Sequence, residues 1–126
     1  MRRTFLSIAL LVALAGCHVV GPEHFVVFFS PWSSDLDAPA KQVVATVATR
    51  ARQRPGTPLT VNGYASPVGT VDANKKISER RTQAVVDALV AAGVPADRIV
   101  QRAHGVVDYT LDPIESRRVE LTLGEN

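Results

Sequence analysis

The chain has 126 residues, 46% of them hydrophobic and 21% charged, with a single cysteine. That is material for one compact core, which normally takes about 100 to 150 residues, and a lone cysteine excludes an intrachain disulfide. The formal net charge of +2 owes two of its fourteen Lys and Arg side chains to Arg2 and Arg3; without them twelve bases face twelve acids, no run of like charge remains, and nucleic acid is excluded as a partner.

Arg2 and Arg3 open a segment that is almost wholly apolar from Thr4 to Ala15 and closes on Leu14-Ala15-Gly16-Cys17. A membrane-spanning helix needs roughly 20 apolar residues, so this shorter run with its basic start reads as a secretory signal. Leu-Ala-Gly-Cys resembles the lipobox of bacterial lipoproteins. That resemblance implies that Cys17 carries the lipid, palmitate among its acyl chains, and becomes the first residue after cleavage. Each buried CH2 contributes about 0.8 kcal/mol, so two or more chains hold firmly. His18 stands where an aspartate would signal inner-membrane retention, which implies the outer membrane. The expected division is a signal over 1–17, a tether over 18–23 containing Gly21-Pro22, one domain over 24–123 and a tail over 124–126.

Within that domain, His24 to Ser30 is a continuous aromatic and β-branched run, as expected of a strand buried on both faces, and Pro31-Trp32-Ser33-Ser34 ends it. Leu36, Ala40, Val43, Val44, Val47 and Ala51 recur at helical spacing behind Asp37, a natural N-cap, with Pro39 in the first turn. This helix stops before Pro55-Gly56. Leu59 to Tyr64 is a second strand, closed by Ser66-Pro67-Val68-Gly69. A longer helix runs from Asp72 or Asn74 to Ala92, buries Ile77, Val85 and Leu89 with help from Ala84 and Ala88, and ends on Gly93 and Pro95. Arg98 to His104 and Val119 to Leu123 complete a strand–helix–strand–helix–strand–strand order. That order predicts an α+β two-layer sandwich with both helices on one face of a mixed four-stranded sheet.

Arg81 lies four residues after Ile77 and four before Val85, so it points along the apolar stripe. A buried guanidinium needs an anionic partner. Asp72, Asp108, Asp112 or Glu115 of the same domain could provide it, and so could a ligand carboxylate held bidentately. Asn74 can cap the helix. Of Arg117 and Arg118, at the start of a strand, one should face the core side and the other solvent.

The stretch Gly63-Tyr64-Ala65-Ser66, then Asn74-x-x-Ile77-Ser78-x-x-Arg81, Gly93 and Ser116-Arg117-Arg118-Val119 resembles the OmpA-like domain over roughly residues 24 to 123. The resemblance implies a β-α-β-α-β-β fold and a non-covalent grip on the peptidoglycan stem peptide. Arg81 would hold the diaminopimelate carboxylate, Asn74 would line the site, and backbone amides near Ser66 and Gly69 would complete it. The chain departs from the family at Ser66, where an aspartate usually receives the diaminopimelate ammonium, so a serine there weakens the expected binding. Asp72, close to Asn74, is the candidate to supply the missing charge. The connection from Gly105 to Arg117 is shorter than usual and carries Tyr109.

Catalytic chemistry finds no support. His18, His24 and His104 lack metal-ligand spacing, no serine sits in a Gly-x-Ser-x-Gly turn, and the acids form no hydrolase pair. No cofactor or metal is expected. Two readings remain: a lipoprotein tethering the outer membrane to peptidoglycan, and the same fold without glycan binding, serving as a protein-interaction or assembly lipoprotein with other envelope proteins.

Overall fold

The computed structural model describes residues 20–106 and 113–125. Cys17, Asp108, Tyr109 and Asp112, and with them the lipidation expectation, lie outside the described residues. Four strands and two long helices follow the expected order: β1 (Glu23–Phe28), α1 (Ala38–Gln53), β2 (Leu59–Ala65), α2 (Val71–Ala91), β3 (Ile99–Val106) and β4 (Arg118–Leu123). A single 3-10 turn at Ala96–Arg98 and a one-turn helix α3 (Pro113–Ser116) are the additions. The sheet order is β1-β4-β2-β3, antiparallel at β1·β4 and β4·β2 and parallel at β2·β3, where α2 makes the crossover. This is the mixed four-stranded sheet with helices packed on it that the element order called for.

The core lies between the sheet and the two helices. Val27, Leu59, Val61, Val119, Leu121 and Leu123 meet Val44, Val47, Ala51, Val85 and Leu89, all buried. Each such Val or Leu side chain stabilises the fold by about 1.5 to 3 kcal/mol through loss of apolar surface from water. Asp37 caps α1 as expected, accepting from the Ala40 amide at 2.9 Å. At the other end of α2, Gly93 has φ +95°, its N–H donates to Val90, and the Val94 N–H donates to Leu89. Those two bonds form a Schellman motif.

β1 differs from its expected character. It alternates, with Val27 buried while Val26 and Phe28 stay exposed, because it is an edge strand and the helices cover only one face of the sheet. Its continuous apolar sequence therefore leaves one apolar row in solvent. On that same outer face Tyr64 stacks on His104 with ring centroids 4.9 Å apart, and Arg118 lies over the Tyr64 ring while pairing with Glu120. Burial first, then Glu120, raises the Tyr64 pKa above its ordinary value.

Two close approaches set α2 against the sheet. A Cβ on Gly63 would stand 1.9 Å from Thr82 Oγ1 and 2.8 Å from the Ser78 carbonyl, so only glycine lets β2 lie this near the helix. Ser78 then donates to the Lys75 carbonyl and accepts from the Gly105 amide at 3.0 Å, fixing the first half of α2 to the end of β3. The N-terminal half of α2 is thereby held beside the ends of β1 and β2 and the start of β4. Among the described residues no helix is long and apolar enough to cross a membrane.

Candidate functional site

Asn74, Ile77, Ser78, Arg81, Thr82 and Val85 share the buried face of α2, as a helix rising through 100° per residue requires of positions three and four apart. Asp72 is two residues from Asn74 and so falls on the other side. It is 88% exposed and faces Lys76 at 3.9 Å. The expectation that Asp72 brings charge to the site is therefore corrected by simple helix geometry. The helix cap is Thr70, whose hydroxyl accepts from the Ala73 amide at 3.1 Å, rather than Asn74. Freed from capping, Asn74 directs both amide protons to loop carbonyls, Val68 at 2.8 Å and Thr70 at 2.9 Å. The loop after β2 is thus pinned to the first turn of α2. Its carbonyl oxygen Oδ1 meets no donor among the described residues.

Arg81 is 1% exposed and among the largest fully buried side chains. None of the expected carboxylates meets it among the described residues. Instead Nε donates to the Ser33 carbonyl at 2.8 Å and Nη2 to the Ser30 carbonyl at 3.0 Å, and the guanidinium sits 5.3 Å from the centre of the Phe29 ring. Burial, then the neighbouring Arg117 and Arg80, push its pKa down to about 10, so it remains a cation at neutral pH with no paired anion among the described residues. Backbone carbonyls satisfy hydrogen bonds but neutralise no charge.

The carbonyls that Arg81 holds belong to the turn Ser30–Ser33, closed by a 3.2 Å bond from the Ser33 amide to the Ser30 carbonyl. Pro31 and Trp32 occupy its centre, and Trp32 has φ +55°, the one non-glycine residue with positive φ among those described. A positive φ at the third position of a turn normally takes glycine, and holding a bulky side chain there costs on the order of 1 to 3 kcal/mol. The strained turn aims the indole, 56% exposed, against Gly69. Gly69 itself has φ +97°, and a Cβ there would come within 2.8 Å of the Trp32 ring. Sequence reading placed Gly69 in the site; the structure makes it the seat of the indole.

Between these parts lies a cavity of about 120 Å³ lined by Pro31, Trp32, Ser66, Val68, Asn74, Ile77, Arg81 and Arg117. Arg117 turns inward, its Nε donating to the Phe29 carbonyl at 3.1 Å, while Arg118 turns to the outer sheet face, which is the division expected of the pair. Ser66 Oγ accepts from the Val68 amide at 3.2 Å, so it braces its own turn, and its hydroxyl proton meets no acceptor among the described residues. Three of the five expected ligand residues, Arg81, Asn74 and Ser66, therefore converge on one cavity. Trp32, Arg117 and Val68 join them without having been foreseen. The Pro31-Trp32 pair was visible in the sequence, but nothing local revealed that Arg81 would draw its turn over the cavity from 48 residues away. Two cations, a hydroxyl donor and an apolar lip make a receptacle for a small anion with an apolar arm. Among the described residues no group of three or more His, Cys, Asp or Glu side chains is placed to hold a metal.

A family model described as the OmpA family matches residues 28–116. Outer membrane protein A of Serratia odorifera is 48% identical over 54 residues, which make up 43% of this chain and 22% of that protein. The chain thus spans only about a fifth of the relative's length. Among solved structures, the OmpA-like domain of FopA1 from Francisella tularensis aligns with a TM-score of 0.70 at 26% identity, over 81% of this chain and 71% of that one. The peptidoglycan-associated lipoprotein of Burkholderia pseudomallei aligns with a TM-score of 0.71 at 22% identity, over 76% and 86% respectively.

Proposed function

Starting from the fact that this chain belongs to the OmpA family, we propose that it is an envelope lipoprotein that grips the peptidoglycan stem peptide without covalent chemistry. In this reading Arg81, with Arg117 beside it, binds the diaminopimelate carboxylate. Asn74 and Ser66 supply polar contacts, and Gly69 supports the apolar lip. Lipid on Cys17 anchors the chain in the outer membrane, and the domain over 24–123 reaches the wall from the periplasm. The function is binding rather than turnover, and many modest tethers acting together fasten membrane to wall. The observation that carries the reading is a buried guanidinium with no carboxylate partner among the described residues, opening on a cavity with a second guanidinium. Likeness in fold to a protein named as peptidoglycan-associated supports it.

Ser66 favours a second reading, in which the fold serves protein interaction or assembly in the envelope, because its hydroxyl brings no charge and already braces its own turn. Co-sedimentation separates the two. The full-length chain in detergent should pellet with purified peptidoglycan sacculi, and an Arg81→Met variant, similar in volume and checked for native circular dichroism, should stay in the supernatant. A native chain that stays in the supernatant overturns the wall reading in favour of the second.

A further inference from the structure

The polar groups of the cavity specify more than a carboxylate. Arg81 and Arg117 are both cations, and a ligand ammonium placed beside the bound carboxylate would stand close to two like charges. Screening by water is weak in so small a recess, so that repulsion is large on the scale of a hydrogen bond. Ser66, having accepted from the Val68 amide, is left with a proton to donate and so serves an acceptor on the ligand. Asn74 spends both amide protons on Val68 and Thr70 and is left with Oδ1, a neutral acceptor for one N–H. A secondary amide offers one N–H and no charge; an ammonium offers three and a full positive charge. Among the described residues the remaining wall is apolar. Trp32 and Val68 are both exposed at the mouth, with Pro31 and Ile77 beside them, and a hydrocarbon group carried by the ligand's nitrogen would rest there and lose surface to water.

Resting on the stem-peptide reading above, we infer that the cavity selects a carboxylate whose neighbouring nitrogen is acylated, which in peptidoglycan is the cross-linked form of the diaminopimelate residue rather than its free-amine form. Arg81 and Arg117 hold the carboxylate, Asn74 Oδ1 accepts the amide N–H, Ser66 donates to the acyl carbonyl, and the acyl group lies under Trp32. The protein then engages wall preferentially at its cross-links, where the mesh is already closed, over stem peptides still carrying the free amine.

Two synthetic stem tripeptides ending in meso-diaminopimelate test this, one with the side-chain amine free and one with that amine acetylated. Each is titrated into the full-length chain in detergent by calorimetry. The acetylated peptide should bind roughly tenfold or more tightly, the difference between a charge left unpaired and one avoided. Ser66→Asp should narrow or reverse that preference by giving the ammonium a partner; the native protein's own ranking of the two peptides decides the matter if that variant does not fold. Equal or tighter binding of the free-amine peptide overturns the selectivity while leaving the wall reading intact. Binding of neither peptide overturns the selectivity together with the reading beneath it.

Discussion

Arg81 and Arg98 sit at different ends of the molecule and do opposite things with the same side chain. Arg98 closes the end of α1. Its three guanidinium nitrogens make four hydrogen bonds to the carbonyls of Ala51, Arg54 and Thr57, at 2.8 to 3.1 Å. Those carbonyls lie at and just beyond the C-terminus of α1, where the negative end of the helix dipole meets the positive charge. Arg81 makes two such bonds, is more deeply buried, has two other arginines as neighbours and faces a cavity. One cation is matched at a helix end; the other is held in place by the fold and meets no counter-charge among the described residues. Burial of a charge is therefore no guide to its role until its partners are counted.

The contrast can be broken first at Arg98. Replacing it by alanine removes four charge-assisted hydrogen bonds, takes the guanidinium donor from the Thr57 carbonyl and should cost about 3 kcal/mol. For a domain of this size that is a fall in Tm of roughly 12 to 24 °C, with stem-peptide affinity unchanged in protein that remains folded. Arg81→Met should do the reverse. Loss of two hydrogen bonds is offset by removal of a buried charge that has no anionic partner among the described residues, so stability should move by less than about 1 kcal/mol while binding disappears. Thermal melts paired with peptide titrations read both. Trp32→Gly is the finer instrument. Relief of the positive φ offsets lost contact with Gly69 and the added freedom of the unfolded chain. Stability should again change by less than about 1 kcal/mol, and affinity should weaken about tenfold as the apolar lip is lost.

Much of this was legible in the sequence because short-range rules govern it. Asp37 with Pro39, Gly93 with Pro95, and the stripe through Ile77, Val85 and Leu89 each report one turn of chain, and each element stands where these residues put it. The position of Arg81 in that stripe announced its burial. Its partners could not be read. The Ser30 and Ser33 carbonyls come from a turn 51 and 48 residues away, and a backbone oxygen has no signature in residue type. The N-cap of α2 was misplaced for a related reason: Thr70, Asp72 and Asn74 are all good capping residues, and only the geometry of the preceding loop chooses among them. Asp72 then lay two positions from Asn74, where helical rotation carries it away from the cavity. The outward row of β1 was missed because a run of apolar residues does not tell an edge strand covered on one face from a central strand covered on both.

The most direct test of the central claim, that Arg81 is the cation left for a ligand, is to follow the arginine Nε–H resonances of the isotopically labelled chain while the acetylated stem peptide is added. The Arg81 signal is expected to shift progressively and saturate with the peptide, while the Arg98 signal, from a guanidinium that does not line the cavity, stays where it is. Saturable binding that leaves the Arg81 resonance unmoved would contradict the account, because the peptide would then be held somewhere other than at this buried charge.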